Sequence, residues 1–149
     1  MDGYIELRTE SMKENKMQKK ALVTGASSGI GLAIAEKLVM EGYEVYGLGR
    51  DFSKGEYLHA DINCKVDKLN GDESHISTRF HKITCDLCNT TKLIETIQDI
   101  NKDHDISLLI NNAGVGYYGL HEELNPQKIS QMVRTNLEAP MIITNLLLR

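Results

Sequence analysis

A glycine-rich stretch over residues 24–31, with the sequence TGASSGIG, constrains the fold of this chain more than any other feature. An apolar run over residues 21–23 precedes it, and an amphipathic segment over residues 30–40 follows it. A strand, a glycine-rich turn and a helix in this order form the layout of a nucleotide phosphate site. The free N–H groups of the first helical turn, at the positive end of the helix dipole, would then face a pyrophosphate.

Each glycine of this stretch has a separate predicted task. Gly25 allows the tight turn off the strand, Gly29 lets the backbone approach the phosphates, and Gly31 lets the helix lie close to the sheet. The same letters also fit Gly-x-Ser-x-Gly, the nucleophile elbow of α/β-hydrolases. That elbow normally follows several strands, whereas this stretch follows the first one, so the phosphate-site interpretation is favoured.

Length and composition limit the remaining classes of protein. The chain has 149 residues, 41% of them hydrophobic, and a net charge of -4, which indicates one soluble domain of ordinary size. This charge does not favour nucleic acid or an anionic membrane as a partner. Residues 1–18 are polar, with no apolar segment resembling a secretory signal or a membrane span. An odd number of cysteines, three, is typical of reduced thiols, so we expect a cytoplasmic protein.

The rest of the chain alternates between strand and helix patterns. The predicted strands cover residues 21–24, 44–49, 80–85 and 106–110, and the predicted helices cover 29–41, 90–102, 126–136 and 141–148. Pro140 should kink or restart the last helix. The first helix is expected to bury Ile30, Ala33, Ile34, Ala35 and Leu38, and Thr90 or Thr91 should cap the second. This alternation predicts a parallel sheet with right-handed crossovers.

Two groups of residues suggest a metal, and neither has the spacing of a metal site. The polar segment 51–78 is predicted to be a long loop that contains His59, Asp61, Cys64, Asp67, Asp72, Glu73 and His75. Its cysteine and histidines show no paired ligand spacing. Cys85 and Cys88 form a single Cys-x-x-Cys pair, which is half of a zinc site, and ordinary strand-end cysteines are favoured. No metal is therefore predicted.

With these pieces placed, the sequence resembles the short-chain dehydrogenase/reductase family. The residues that carry the resemblance are the glycine-rich stretch, Asp86-Leu87, Asn111-Asn112-Ala113-Gly114 and Asn136, each at the end of its expected element. The resemblance begins near Lys19 and implies a partial Rossmann NAD(P)-binding domain over residues 19–149, after a polar tail over residues 1–18. The implied fold is α/β, a doubly wound parallel sheet with strand order 3-2-1-4, truncated after the fourth strand and the following helix.

The family pattern also implies roles for individual residues. Gly25, Ser27, Ser28, Ile30 and Gly31 would line the cofactor phosphates. Asp86 and Leu87 would contact the adenine, and Asn112, Ala113 and Gly114 would hold the ribose side. Asn136 would be the active-site asparagine, whose backbone carbonyl holds a water in a proton relay.

The end of the second predicted strand indicates which cofactor is bound. A carboxylate at this position would accept hydrogen bonds from the ribose 2′-OH and favour NAD. Gly49 leaves space there without negative charge, and the guanidinium of Arg50 can pair with a 2′-phosphate. Two residues argue for NAD. The carboxylate of Asp51 is adjacent, and Ser28 occupies a position where NADP-preferring relatives often carry a basic residue. On balance the sequence favours NADP over NAD.

The resemblance stops before the proton-transfer residues. In the family a tyrosine of a Tyr-x-x-x-Lys motif donates the proton, and a serine polarises the substrate oxygen. None of the 6 tyrosines of this chain has a lysine four residues later. We therefore expect a fragment, inactive alone, of an oxidoreductase that acts on a small carbonyl or alcohol. The alternative is a non-catalytic nucleotide-binding module or regulator.

Truncation after the fourth strand would expose apolar surface. The fourth strand would be an uncovered sheet edge. The terminal helix would expose Met141, Ile142, Ile143, Leu146 and Leu147. Self-association through the fourth strand and this helix, with poor stability of the isolated chain, is the expected consequence.

Overall fold

The structure is a computed structural model that describes residues 19–53 and 79–148. The predicted polar tail over residues 1–18 lies outside the described residues, as does the predicted loop beyond Ser53 with its histidines, carboxylates and Cys64. The elements in chain order are β1 (Lys20–Thr24), α1 (Gly29–Met40), β2 (Glu44–Gly49), β3 (Phe80–Thr84), α2 (Thr90–Asp103), β4 (Ile106–Ile110), a 3-10 turn (His121–Glu123), α3 (Pro126–Val133), a π-helical turn (Arg134–Glu138) and α4 (Ala139–Leu147).

The described strands form one parallel sheet in the order β3-β2-β1-β4, which confirms the predicted order 3-2-1-4. Lys20 pairs with Glu44, and Val45 pairs with Phe80, so β1 and β2 occupy the centre of the sheet. Residues 21–23 of β1 are completely buried, as expected for a central strand covered on both faces. Among the described strands, β4 pairs with β1 only and is less buried.

Alternating side chains of the strands feed two hydrophobic cores, one on each face of the sheet. Ala21, Val23, Val45 and Phe80 belong to the core that α1 covers. The core on the opposite face contains Leu22, Tyr46 and Leu48 from the sheet, Leu93, Ile97 and Ile100 from α2, and Ile143 from α4. Helices thus cover both faces, which is the doubly wound arrangement that the sequence predicts.

The buried stripe of α1 differs from the predicted one. The helix buries Gly31, Leu32, Ala35 and Val39, while Ile34 and Leu38 are only partly buried. Ile30 is 75% exposed and Ala33 is also exposed, so the predictions for these two residues were wrong. The physical reason is the close approach at Gly31, which turns the stripe formed by Gly31, Ala35 and Val39 toward the sheet.

The helix caps agree with prediction in one case and differ by a residue in the other. The side chain of Asn125 accepts a hydrogen bond from the Gln127 N–H at 2.8 Å, and Pro126 is the first residue of α3, as predicted. In α2 the cap is Asn89, whose Oδ1 accepts from the Lys92 N–H at 3.1 Å, rather than Thr90 or Thr91. β3 ends at Thr84, one residue before the predicted end.

The π-helical turn ends two residues before Pro140 and connects α3 to α4. Here the Ala139 N–H donates to the carbonyl of Arg134, five residues earlier. Proline has no N–H, so Pro140 cannot donate to the carbonyl of Asn136. The helix therefore widens ahead of Pro140 and continues, where the sequence predicted a kink or restart.

The expectation that α4 exposes its whole apolar face was wrong. Ile143 is completely buried, and Ile142, Leu146 and Leu147 lie against the same core because α2 and the sheet cover them. Met141 remains 64% exposed. Across the two described ranges, no helix is both long enough and apolar enough to cross a membrane.

Candidate functional site

The carboxyl ends of all four described strands surround a cavity of about 300 Å³. Every residue that the sequence predicts to bind the cofactor lines it: Gly25, Ser27, Ser28, Ile30, Gly31, Arg50, Asp86, Leu87, Asn112, Ala113 and Gly114. This position is where open α/β sheets bind their ligands. The structure brings these residues together, and their individual roles toward a cofactor remain predictions.

The glycine-rich stretch has the backbone geometry that only glycine accepts easily. Gly25 and Gly29 have φ values of +69° and +57°, in the left-handed region. A Cβ placed on Gly31 would lie 2.2 Å from the carbonyl oxygen of Gly25 and 2.4 Å from Asn112 Nδ2. A Cβ on Gly29 would meet nothing within 4 Å, so the space above this residue is open to a ligand.

Thr24 links the ends of β1 and β4, and this role was missed at the sequence level. Its hydroxyl oxygen accepts hydrogen bonds from the N–H groups of Asn112 and Ala113, each at 3.0 Å. The Asn112 side chain donates back to the carbonyl of Thr24, also at 3.0 Å. Thr24 is buried, so these contacts fix the relative position of the glycine-rich stretch and the Asn112–Gly114 segment.

Asn136 does not line the cavity but holds the loop that does. Its Oδ1 accepts from the Val115 N–H at 2.9 Å, and its Nδ2 donates to the Val115 carbonyl at 2.8 Å. Val115 and the preceding Gly114 line the cavity. The side chain therefore positions the β4–α3 loop, and the predicted role of the Asn136 carbonyl in a proton relay stays a prediction.

The cysteines beside the cavity are free thiols. Cys85 is buried, and this burial raises its pKa, so the thiol stays protonated near neutral pH. The N–H of Cys88 donates to Asp86 Oδ1 at 3.0 Å, and its Sγ lies 3.3 Å from Thr135 Oγ1. Within residues 19–53 and 79–148 there is no group of three side chains suited to a metal ion.

The end of β2 is closely packed and presents Arg50 to the cavity. A Cβ on Gly49 would lie 2.8 Å from the Cβ of Ser27 and 3.0 Å from the ring of Phe52. No larger residue, and so no carboxylate, fits at position 49 without displacing these side chains. The Asp51 side chain accepts from the Ser53 N–H at 2.8 Å, and Asp51 is not among the cavity residues.

Several residues line the cavity without having been predicted as site residues: Leu48, Gly49, Cys85, Val115, Gln131 and Thr135. Val115 could have been found, because it directly follows the Asn-Asn-Ala-Gly segment. Gln131 and Thr135 lie four residues apart, so they share one helical face, but no local pattern shows that this face meets the cavity.

The family model described as "short chain dehydrogenase" matches residues 19–149. The NADPH-dependent 3-dehydrocapnine reductase of Ornithobacterium rhinotracheale is 30% identical over 131 residues, which cover 86% of this chain and 41% of that protein. The NADP-dependent (R)-specific alcohol dehydrogenase of Lentilactobacillus kefiri is 31% identical, with coverage of 91% and 49%. The chain thus spans less than half the length of these relatives.

Solved structures give the same result. The bulky-bulky ketone specific alcohol dehydrogenase from Comamonas testosteroni matches with a TM-score of 0.74 and 29% identity, over 87% of this chain and 48% of that one. A metagenomic short-chain oxidoreductase in complex with NADP matches with a TM-score of 0.71 and 30% identity, covering 86% and 54% of the two chains. The chain belongs to the short-chain dehydrogenase family.

Proposed function

We propose that this chain is the cofactor-binding part of an oxidoreductase that moves a hydride between NADP(H) and a small carbonyl or alcohol substrate. The observation that carries the proposal is the convergence of the glycine-rich stretch, Asp86, Asn112 and Arg50 on one cavity. The relatives named as NADP- or NADPH-dependent enzymes support the same cofactor. NADPH supplies the hydride when bound, and the residues of this chain bind and orient it.

The chemistry of the cavity fits a dinucleotide. The first N–H groups of α1 have no acceptor inside the helix, and the Ser28 side chain does not cap them. Ser28, Ile30 and Gly31 line the cavity, so this helix start can stabilise an anion bound there. The Asp86 carboxylate accepts hydrogen bonds, which suits the amino group of adenine. Thr24 and Asn136 hold the segment from Asn112 to Val115, which would frame the ribose side, in a fixed geometry.

Arg50 is the proposed selector for the 2′-phosphate of NADP. Arg50 lines the cavity, whereas a carboxylate at position 49 would displace Ser27 and Phe52. The adjacent carboxylate of Asp51 is engaged with Ser53, which weakens the argument that it would favour NAD. A charge-assisted pair with the phosphate would contribute about 1.5–3 kcal/mol, so it accounts for a preference of roughly 10- to 100-fold.

The test is the ratio of the dissociation constants for NADPH and NADH, measured by titration calorimetry. Arg50→Asp should weaken NADPH binding about 10- to 100-fold and shift the preference toward NADH. Lys82→Asp, the same charge change at an exposed residue of β3 away from the cavity, should leave the ratio unchanged. An unchanged ratio in Arg50→Asp would reject Arg50 as the selector.

A non-catalytic nucleotide-binding module is the second candidate. The observation in its favour is that no tyrosine of the chain is followed by lysine at the fourth position. Under either proposal we expect the 149-residue chain alone to bind the cofactor without reducing a substrate. Activity restored by adding a polypeptide that carries Ser and Tyr-x-x-x-Lys would favour the enzyme, and no restoration would favour the module.

We further propose that copies of the chain associate through β4 and the last helices. Val133, Leu137 and Met141 are spaced by four residues and are 51%, 57% and 64% exposed, so they form one apolar stripe. Leu137→Lys should lower the average mass measured by sedimentation if this stripe is buried between copies.

Because both described cysteines are free, we place the protein in a reducing compartment, the cytoplasm.

A further inference from the structure

Tyr117 in the loop after β4 is held by two residues of α3. Its hydroxyl donates a hydrogen bond to Oε1 of Gln131, and the Nζ of Lys128 lies 4.9 Å from the centre of its ring. Residues three apart on a helix share a face, so Lys128 and Gln131 can both contact Tyr117. Tyr118, by contrast, is fully exposed.

In the structure this contact joins the Tyr117 hydroxyl to the oxygen of the Gln131 amide. In that orientation the NH₂ group is left as a donor. Among the described residues, none accepts a hydrogen bond from Gln131 Nε2. Gln131 lines the cavity, so its side chain is within reach of a ligand there, with an NH₂ donor that none of the described residues occupies.

The position of Gln131 on that wall is set by Cys88. The Cys88 Sγ lies 3.9 Å from the Gln131 carbonyl oxygen and 3.3 Å from the hydroxyl of Thr135. Cys88 directly follows Asp86 and Leu87, which also line the cavity. Gln131 therefore lies on the side of the cavity that Asp86 and Leu87 form.

We propose that Gln131 is a ligand-contacting residue that donates from its NH₂ group to an acceptor on the adenosine half of the cofactor. Tyr117 is a positioning residue that holds the amide in this orientation. The inference rests on the proposed function. An adenine ring offers nitrogen acceptors beside its amino group, so a carboxylate at Asp86 and an amide donor at Gln131 are complementary to one edge of this base.

The test uses the 149-residue chain and 2′,5′-ADP, which represents the adenosine half of NADPH. Gln131→Leu should raise the calorimetric dissociation constant about 5- to 30-fold, since one hydrogen bond to the ligand is lost. Tyr117→Phe keeps the ring over Lys128 but removes the donor, and should raise it about 3- to 10-fold. Tyr118→Phe, the same change on the neighbouring exposed residue, should have no effect.

A spectroscopic measurement on the unchanged protein is independent of variant folding. The side-chain NH₂ resonances of Gln131, assigned by their loss in Gln131→Leu, should shift when 2′,5′-ADP is added. In Tyr117→Phe these resonances should move toward the values of a free glutamine side chain before ligand is added, because the Tyr117 hydroxyl no longer holds the amide. A purely structural role of Tyr117 would change the melting temperature and leave these shifts unaltered.

The outcomes separate the inference from the proposed function. If the unchanged chain binds 2′,5′-ADP and both variants bind it equally well, or the Gln131 resonances do not move, the inference is wrong and the proposed function stands. If the unchanged, folded chain binds neither 2′,5′-ADP nor NADPH, the proposed function is rejected and the inference with it.

Discussion

Replacement of Thr24 by valine removes one hydroxyl at the junction of β1 and β4 while keeping the shape of the side chain. In the structure this oxygen accepts from the N–H groups of Asn112 and Ala113 at 3.0 Å and lies 3.4 Å from the Ile110 carbonyl. Thr24 is only 2% exposed, so water does not replace the lost acceptor. The substitution therefore tests whether this single side chain holds the two cofactor-facing segments together.

The expected loss in the free energy of unfolding depends on which acceptors the two N–H groups keep in Thr24→Val. The Asn112 N–H keeps a second acceptor, the Ile110 carbonyl at 3.1 Å, and loses little. The Ala113 N–H has no other acceptor among the described residues, and such an unsatisfied group costs about 1–3 kcal/mol. With the smaller loss at Ile110 added, Thr24→Val should lower the free energy of unfolding by roughly 2–3 kcal/mol.

The assay is urea unfolding followed by circular dichroism, with the free energy obtained by linear extrapolation. Thr91→Val is the matched control, because Thr91 is exposed in the first turn of α2. It should change the free energy of unfolding by no more than about 0.5 kcal/mol. A value for Thr24→Val within this range of the parent would refute the reasoning that the hydroxyl is needed by the two N–H groups.

Two other predictions concern the loop and the amino end of the sheet. Asn136→Ala should speed hydrogen exchange at the Val115 amide, because its acceptor is lost; unchanged exchange would contradict the contact between them. Partial burial raises the pKa of Glu44, but hydrogen bonds from Tyr46 and His81 outweigh it and place this pKa below the ordinary 4.5. Glu44 therefore adds stability above pH 4.5 that is lost as the pH falls through its lowered pKa. In Glu44→Gln the free energy of urea unfolding, measured between pH 3 and 6, should depend less on pH than in the parent. Equal slopes of this free energy against pH would contradict the prediction.

The sequence predicts elements and topology well because both depend on local patterns. Strand and helix periodicity, with Asn125 and Pro126 at the start of α3, yields the elements and a parallel sheet without knowledge of any tertiary contact. The order 3-2-1-4 follows from the family resemblance. Most of the cavity lining is also predicted, since the glycine-rich stretch and the segments after β3 and β4 must meet at the carboxyl edge of a parallel sheet.

The contacts that the sequence does not reveal are those between distant residues. Thr24 and Ala113 are 89 positions apart, and no local pattern connects them. Periodicity shows that α1 has an apolar stripe but not how far the helix is rotated, so Ile30 was assigned to the core although Gly31 decides the rotation. Likewise, Ile143 was expected to be exposed because the covering helix α2 is distant in sequence.

The central claim is that the cavity binds NADP(H), and titration calorimetry of the 149-residue chain with NADPH and NADH tests it most directly. We predict one site per chain with NADPH bound about 10- to 100-fold more tightly. Gly31→Ala, whose Cβ would lie 2.2 Å from the carbonyl oxygen of Gly25, should abolish this binding. A folded chain that binds neither cofactor, or that binds NADH more tightly, would contradict the account.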